Sequence, residues 1–140
     1  MSENIKQKIV SFLDTNKIGT LATIVDKKPF TRYMMFHHEE LILYTATNEH
    51  SHKVENILTQ PYVHILLGFP GDELSKPYIE VAAKAEIEHS QTLKEKIWNE
   101  CLKHWIDSPD DPEYLLLKLV PSSYLFYEKT GEGPIELLID

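Results

Sequence analysis

Arginine is nearly missing from this chain. Of 14 basic residues only Arg32 is one, and they face 22 acidic residues, for a formal net charge of −8 at pH 7. A shortage of clustered cations argues against a DNA or RNA binder, whose affinity rests on neutralising phosphates, and against adsorption to anionic lipid. Cysteine is limited to Cys101, so no disulfide forms within the chain. Its neighbours Trp98, Leu102 and Trp105 recur at helical spacing, and Cys101 reads as a small buried hydrophobe. No run approaches the roughly 20 apolar residues that span a bilayer. The acidic start, Met1-Ser2-Glu3-Asn4, lacks the basic and apolar regions of a signal peptide. A soluble cytoplasmic protein is therefore expected, with no membrane or nucleic-acid partner. No G-x-S-x-G, H-E-x-x-H or P-loop pattern occurs, which leaves hydrolase and nucleoside-triphosphatase readings without a motif.

What is present is an ordinary core. Hydrophobic residues make up 42% of 140, charged residues 26%, and no repeat or linker divides the chain, so residues 1–140 read as one domain. Ile5, Ile9, Phe12 and Leu13 lie on one face of a first helix ending near Asn16. Three strands should follow as a meander: Ile18–Val25, Phe30–Phe36 and Leu41–Thr47, the first turn at Asp26-Lys27-Lys28-Pro29. Ser51 is placed to cap a short helix with Val54, Ile57 and Leu58 on one face, stopped by Pro61. Tyr62–Phe69 and Pro77–Glu88 read as strands around a loop at Phe69-Pro70-Gly71-Asp72, the second with Ile79, Val81, Ala83, Ala85 and Ile87 at a period of two. A third helix begins at Ser90 or at Thr92, where Thr92 and Glu95 fit a capping box, and carries the stripe Leu93, Ile97, Trp98, Cys101, Leu102, Trp105. Tyr114–Lys129 reads as a long strand with a bulge or edge at Pro121. The sum is an α+β or mainly β fold, about six antiparallel strands that close or half-close into a barrel, with about three flanking helices.

The segment from Pro29 to Lys53 carries the chemistry. A hairpin of Phe30–Phe36 with Leu41–Thr47 sets Arg32 across from Thr47 or Thr45, depending on the turn, and either register puts them on one face. The chain then enters the helix at Ser51, whose free amides and partial positive charge suit an anion. Arg32, Thr47, Ser51 and Lys53 would thus surround one phosphate-sized spot, with the guanidinium gripping two oxygens. A solvated arginine beside a capped helix is the alternative.

Three stretches resemble a known family: Pro29-Phe30-Thr31-Arg32-Tyr33-Met34; Thr47-x3-Ser51-x-Lys53-Val54-x-Asn56-Ile57; and Pro61-Tyr62-Val63. They look like the flavin-binding half of the pyridoxamine 5'-phosphate oxidase-like split barrels. Val81-Ala82-Ala83-Lys84-Ala85-Glu86 is similar to that group's Gly-Lys-Ala-Glu strand, and Trp98, Trp105, Asp111-Pro112 and Leu115-Leu116-Leu117 resemble the tail of its general stress protein branch. The resemblance implies a six-stranded FMN-binding split β-barrel, a homodimer with flavin at the subunit interface, and a flavin-dependent oxidoreductase. It implies that Arg32 and Lys53 bind the FMN phosphate with Ser51 and Thr47 assisting. Tyr33, Met34 and Met35 would pass their backbone beside the ring system, and Ala46 and His52 would flank the site. The chain departs from the pattern in having Ala83 for a glycine and Tyr78 for a glutamine. It also lacks any arginine after Arg32 and any histidine after His104, which argues against pyridoxamine phosphate as substrate.

Two other readings stay open: a flavin-sequestering stress protein without turnover, and a haem-binding split barrel, although no histidine singles itself out as an axial ligand. The seven histidines are scattered and the lone Cys101 adds little, so no metal site is expected. The catalytic residues and the redox substrate are not readable.

Overall fold

The computed structural model describes residues 2–48, 52–68, 76–104, 106–129 and 131–139, and their side chains apart from those of residues 2, 3, 52–54 and 56. Helix α1, Ser2–Thr15, buries Ile9 and Leu13 and ends where the Asn16 amide side chain and backbone N–H both donate to the Phe12 carbonyl, at 2.9 and 3.0 Å. Strands β1, Ile18–Val25, and β2, Lys28–Met35, are joined by Asp26 and Lys27, both left-handed (φ 51° and 65°). Two left-handed residues between paired strands match the right-handed strand twist. Then come β3, His37–Glu39, β4, Ile42–Asn48, α2, His52–Thr59, β5, Tyr62–Gly68, and β6, Tyr78–Glu88. Helix α3, Gln91–Ile97, is followed by a 3-10 turn, Glu100–His104, and by β7, Tyr114–Tyr127, and β8, Ile135–Leu138. Among the described residues no helix is long and apolar enough to cross a membrane.

The strands form one antiparallel sheet in the order β2-β1-β5-β6-β7-β4-β3, with β8 also on β7. This corrects the expected six-stranded barrel: the described residues form eight strands, and the ladder is open, with β2 and β3 at its ends. Those ends are consecutive in the chain. What reads in sequence as one strand, Phe30–Phe36, changes partner at Phe36: its N–H extends the β1–β2 register to the Lys17 carbonyl at 2.6 Å, its ring is buried, and the chain bends into β3. The expected pairing of this segment with Leu41–Thr47 is corrected too. Strand β2 pairs with β1, setting Arg32 opposite Leu21, and only the short β3 pairs with β4, His37 opposite Tyr44. Strand β4 spends its ladder on β7, where Thr45 faces Leu117 and Thr47 faces Leu115.

Strand β7 runs through both halves of the sheet. It pairs with β4 up to Leu119 and with β8 from Ser123, while β6 accompanies it throughout. Pro121 sits at the handover, opposite a register shift at Ala82/Ala83. A residue without an N–H is tolerated where the ladder changes partner. The main core lies between α1, α2 and the inner face, with Leu21, Ile65, Leu67, Ile79, Val81, Leu117 and Leu119 buried. A second cluster, Tyr44, Ile97, Ile106, Tyr114 and Leu116, covers the other face of β4 and β7. There the Tyr114 hydroxyl donates to the Lys94 carbonyl at 2.9 Å, and burial pushes its pKa up to about 12.

Several local expectations change. Ser90, not Thr92, caps α3: its hydroxyl accepts from the Leu93 N–H at 3.2 Å. The single stripe from Leu93 to Trp105 breaks at Trp98, whose backbone is extended, so Cys101 sits on the 3-10 turn and is exposed rather than buried. Leu58 of α2 is exposed, while Ile57 points into the core. The loop at 69–72 and Trp105 lie outside the described residues.

Beside Phe36 two histidines open β3, and one of them, His38, joins it to α1. His38 is held between Asp14 Oδ1 at 2.7 Å and the Glu40 carbonyl at 2.9 Å. His37 is half-buried, and its Nε2 has no hydrogen-bond partner among the described residues. Burial, and then the positive charges of Lys17 and His38, hold its pKa below the ordinary 6.5. The unfolded chain therefore binds a proton at His37 before the folded one does, and this contribution to stability is complete above about pH 6.5 and fades as pH falls. We expect denaturation midpoints followed from pH 7 down to pH 5 (about one decade either side of the usual histidine range) to fall less steeply for His37→Gln than for the native chain.

Candidate functional site

The bend at Phe36 turns the end of β2 toward β4. Thr45, fully buried on β4, donates its hydroxyl to the Met35 carbonyl at 2.9 Å. The two strands and the segment after α3 then enclose a cavity of about 670 Å³. Strand β2 supplies Arg32, Tyr33, Met34 and Met35; β4 supplies Ala46, Thr47 and Asn48; the 3-10 turn supplies Cys101, Leu102 and His104. Ile18 and Ile106 complete the lining.

Six of the nine candidate residues, Arg32, Tyr33, Met34, Met35, Ala46 and Thr47, thus share one cavity. They do so because β2 packs beside β4, not because the two pair as a hairpin. Ser51 lies outside the described residues, as do the side chains of His52 and Lys53; the backbone of α2 begins at His52, four residues after the cavity residue Asn48. The far wall was not legible in the sequence. Cys101, Leu102, His104 and Ile106 read as the buried stripe of a helix, and the only signal against that was Asn99, a residue whose side chain competes for backbone hydrogen bonds and favours helix ends.

The electrostatics of the cavity suit an anion. Among the described residues none that lines it is a carboxylate, although the chain has 22 acidic residues. The Arg32 Nε is buried and has no hydrogen-bond partner among the described residues. A charged donor withdrawn from water without an acceptor is costly, and a phosphate oxygen would supply one. Elsewhere the histidines are dispersed, and among the described residues no three of His, Cys, Asp and Glu gather as a metal site would require.

The cavity adjoins a broader concavity of about 940 Å³ on the outer face of β1, β2, β5 and β6, and the two share Ile18 and Tyr33. Large apolar side chains stand in solvent there: Tyr33 is 81% exposed, Tyr62 65% and Leu66 43%. His64 and Glu80 pair across this face at 3.3 Å, and the rings of Tyr78 and Tyr127 stack at 4.4 Å.

Comparison with known proteins places this architecture. The sequence profile of the pyridoxamine 5'-phosphate oxidase family matches residues 5–127. General stress protein 26 of Bacillus subtilis (strain 168) is 42% identical over 135 residues, covering 96% of each chain. The crystal structure of general stress protein 26 from Bacillus anthracis str. Sterne superposes with a TM-score of 0.87 at 39% identity, covering 97% of this chain and 99% of that one. A heme binding protein from Mycobacterium smegmatis superposes with a TM-score of 0.76 at 14% identity, covering 99% of this chain and 58% of that one, a likeness of fold alone.

The Thr45 bond is open to a direct test. Thr45→Val keeps the shape and strands the Met35 carbonyl, a change expected to cost about 1–3 kcal/mol. Thr45→Ser should recover most of that loss. Urea denaturation of the three proteins measures it, and equal stability of the valine variant would show that the bond does not hold the two strands.

Proposed function

The chain belongs to the pyridoxamine 5'-phosphate oxidase-like family together with general stress protein 26, and from that membership we propose that it binds FMN in the cavity between β2, β4 and the 3-10 turn. The observation that carries the reading is the buried Arg32 Nε, which among the described residues has no hydrogen-bond partner and shares its cavity with no carboxylate. On this reading Arg32 grips the phosphate, with Lys53, Ser51 and Thr47 assisting. The backbone of Tyr33, Met34 and Met35 lies along the isoalloxazine and ribityl chain, and Ala46 and His52 flank it. FMN, when bound, supplies one- and two-electron redox chemistry; the protein's part is to bind, orient and shield it.

Binding, rather than turnover, is what these residues support best. Among the described residues the cavity presents no carboxylate to act as acid or base, and the likeness to general stress protein 26 favours a flavin-holding stress protein. Oxidoreductase activity toward a small redox substrate is the second reading, favoured by the match to the oxidase family. The absence of any arginine beyond Arg32 argues against a second phosphorylated ligand.

A second copy of the chain is proposed to cover the outer face. Tyr33 and Ile18 belong to both the cavity and that face, so a partner seated over Tyr33, Tyr62 and Leu66 would also close the flavin site.

The phosphate assignment is tested by titrating FMN and riboflavin side by side. Loss of charge-assisted contacts should make riboflavin bind more weakly by about 1.5–3 kcal/mol, and Arg32→Ala should narrow the gap between the two ligands. Equal binding of both by the native protein would remove the phosphate from this site. A Soret band in the protein as isolated would replace flavin by haem, and bleaching of bound flavin by NAD(P)H would favour turnover over sequestration. For the assembly, Leu66→Lys is expected to convert a dimer to a monomer in sedimentation velocity; a native protein that sediments as a monomer would overturn the proposed partner.

A further inference from the structure

We propose that Asn99, which does not itself line the cavity, is a positioning residue that latches the 3-10 turn to β2 and so sets the width of the flavin cavity. The inference rests on the FMN reading for its ligand but on geometry for the latch. Helix α3 ends at Ile97, and Trp98 turns the backbone into an extended conformation. Asn99 then uses its whole side chain. Its Nδ2 lies 3.7 Å from the Met35 Sδ and 3.4 Å from the Ile97 carbonyl, and its Oδ1 accepts from the Cys101 N–H at 2.9 Å. Its own carbonyl accepts from the Leu102 N–H at 3.0 Å. One residue therefore starts the turn that carries Cys101, Leu102 and His104 and ties that turn to the opposite wall.

Met35 is the point where the three walls meet. Its carbonyl is held by Thr45 of β4 and its thioether by Asn99. A thioether is a weak acceptor, so the bond adds little to overall stability. It does fix the rotamer of a flexible side chain that faces the ligand space. The far end of the segment is anchored independently: the Asp111 carboxylate accepts from the N–H groups of Asp107 and Glu113, both at 2.9 Å, and these bonds hold its pKa below the usual carboxylate range. With that end fixed, loosening the Asn99 end lets the turn swing from β2 without unravelling the chain.

The cap and the latch are separable. Asn99→Ser keeps an oxygen to accept from the Cys101 N–H but has no group to reach Met35; Met35→Leu keeps the volume and removes the acceptor. Cys101 is exposed and is the only cysteine in the chain, so its modification by a thiol reagent reports on this wall alone, with or without ligand. In the free protein both variants should speed Cys101 modification several-fold while leaving the thermal midpoint close to native. Both should weaken FMN about five- to tenfold, and the double variant should be no worse than either single one. Native modification rates in both single variants, or effects that add in full, would overturn the latch. Failure of the native protein to bind FMN, with Cys101 still accelerated in the variants, would instead overturn the flavin reading and leave the latch standing.

Discussion

The hydroxyl of Thr45 meets the Met35 carbonyl across the gap between two strands that share no ladder. The rest of the architecture depends on that contact being possible. Strand β2 lies at one end of the sheet and β3 at the other, next to β4, and the chain passes from β2 to β3 through a single residue, Phe36. Two backbone groups at this changeover find partners in different segments of the chain. The Phe36 N–H is satisfied by Lys17 and the Met35 carbonyl by Thr45. Each is a buried polar group whose abandonment would cost more than its pairing contributes. With β2 and β4 held side by side but unpaired, residues of both strands come to line one cavity.

The sequence was legible where structure is local. Helix α1 and strand β6 declare themselves because Ile9 and Leu13, or Ile79, Val81, Ala83 and Ala85, recur at the period of their element and are buried as that period requires. The bulge at Pro121 was legible for the same reason, since a missing N–H is a local fact. What was not legible is partner choice. Nothing in Phe30–Phe36 marks Phe36 as a break, because an apolar residue there suits a strand as well as a bend. Pairing β2 with β1 is the local hairpin that the turn after Val25 implies, but pairing β4 with β7 rather than with β2 is decided by contacts far apart in the chain, where residue 45 meets residue 117.

The candidate site divides along the same line. Arg32 and Thr47 could be grouped in advance because a lone arginine in an acidic chain, followed by a helix start, is a pattern of residue types. Asn99, Cys101 and His104 could not. Their approach to β2 comes from a helix that stops at Ile97, and the stripe that continues past it in sequence conceals the stop. The His37 ring shows a related effect: its environment is set first by burial and then by the charge of Lys17, which the Phe36 N–H bond to the Lys17 carbonyl brings close.

Strand β7 has a consequence for how the molecule comes apart. Its fourteen residues are bonded to β6 along nearly their whole length, and on the other side first to β4 and then to β8. Neither half of the sheet can unzip at the centre without breaking the strand common to both. Opening is thereby confined to the margins, at β8, β3 and the free side of β2, while the middle behaves as one cooperative unit in amide exchange.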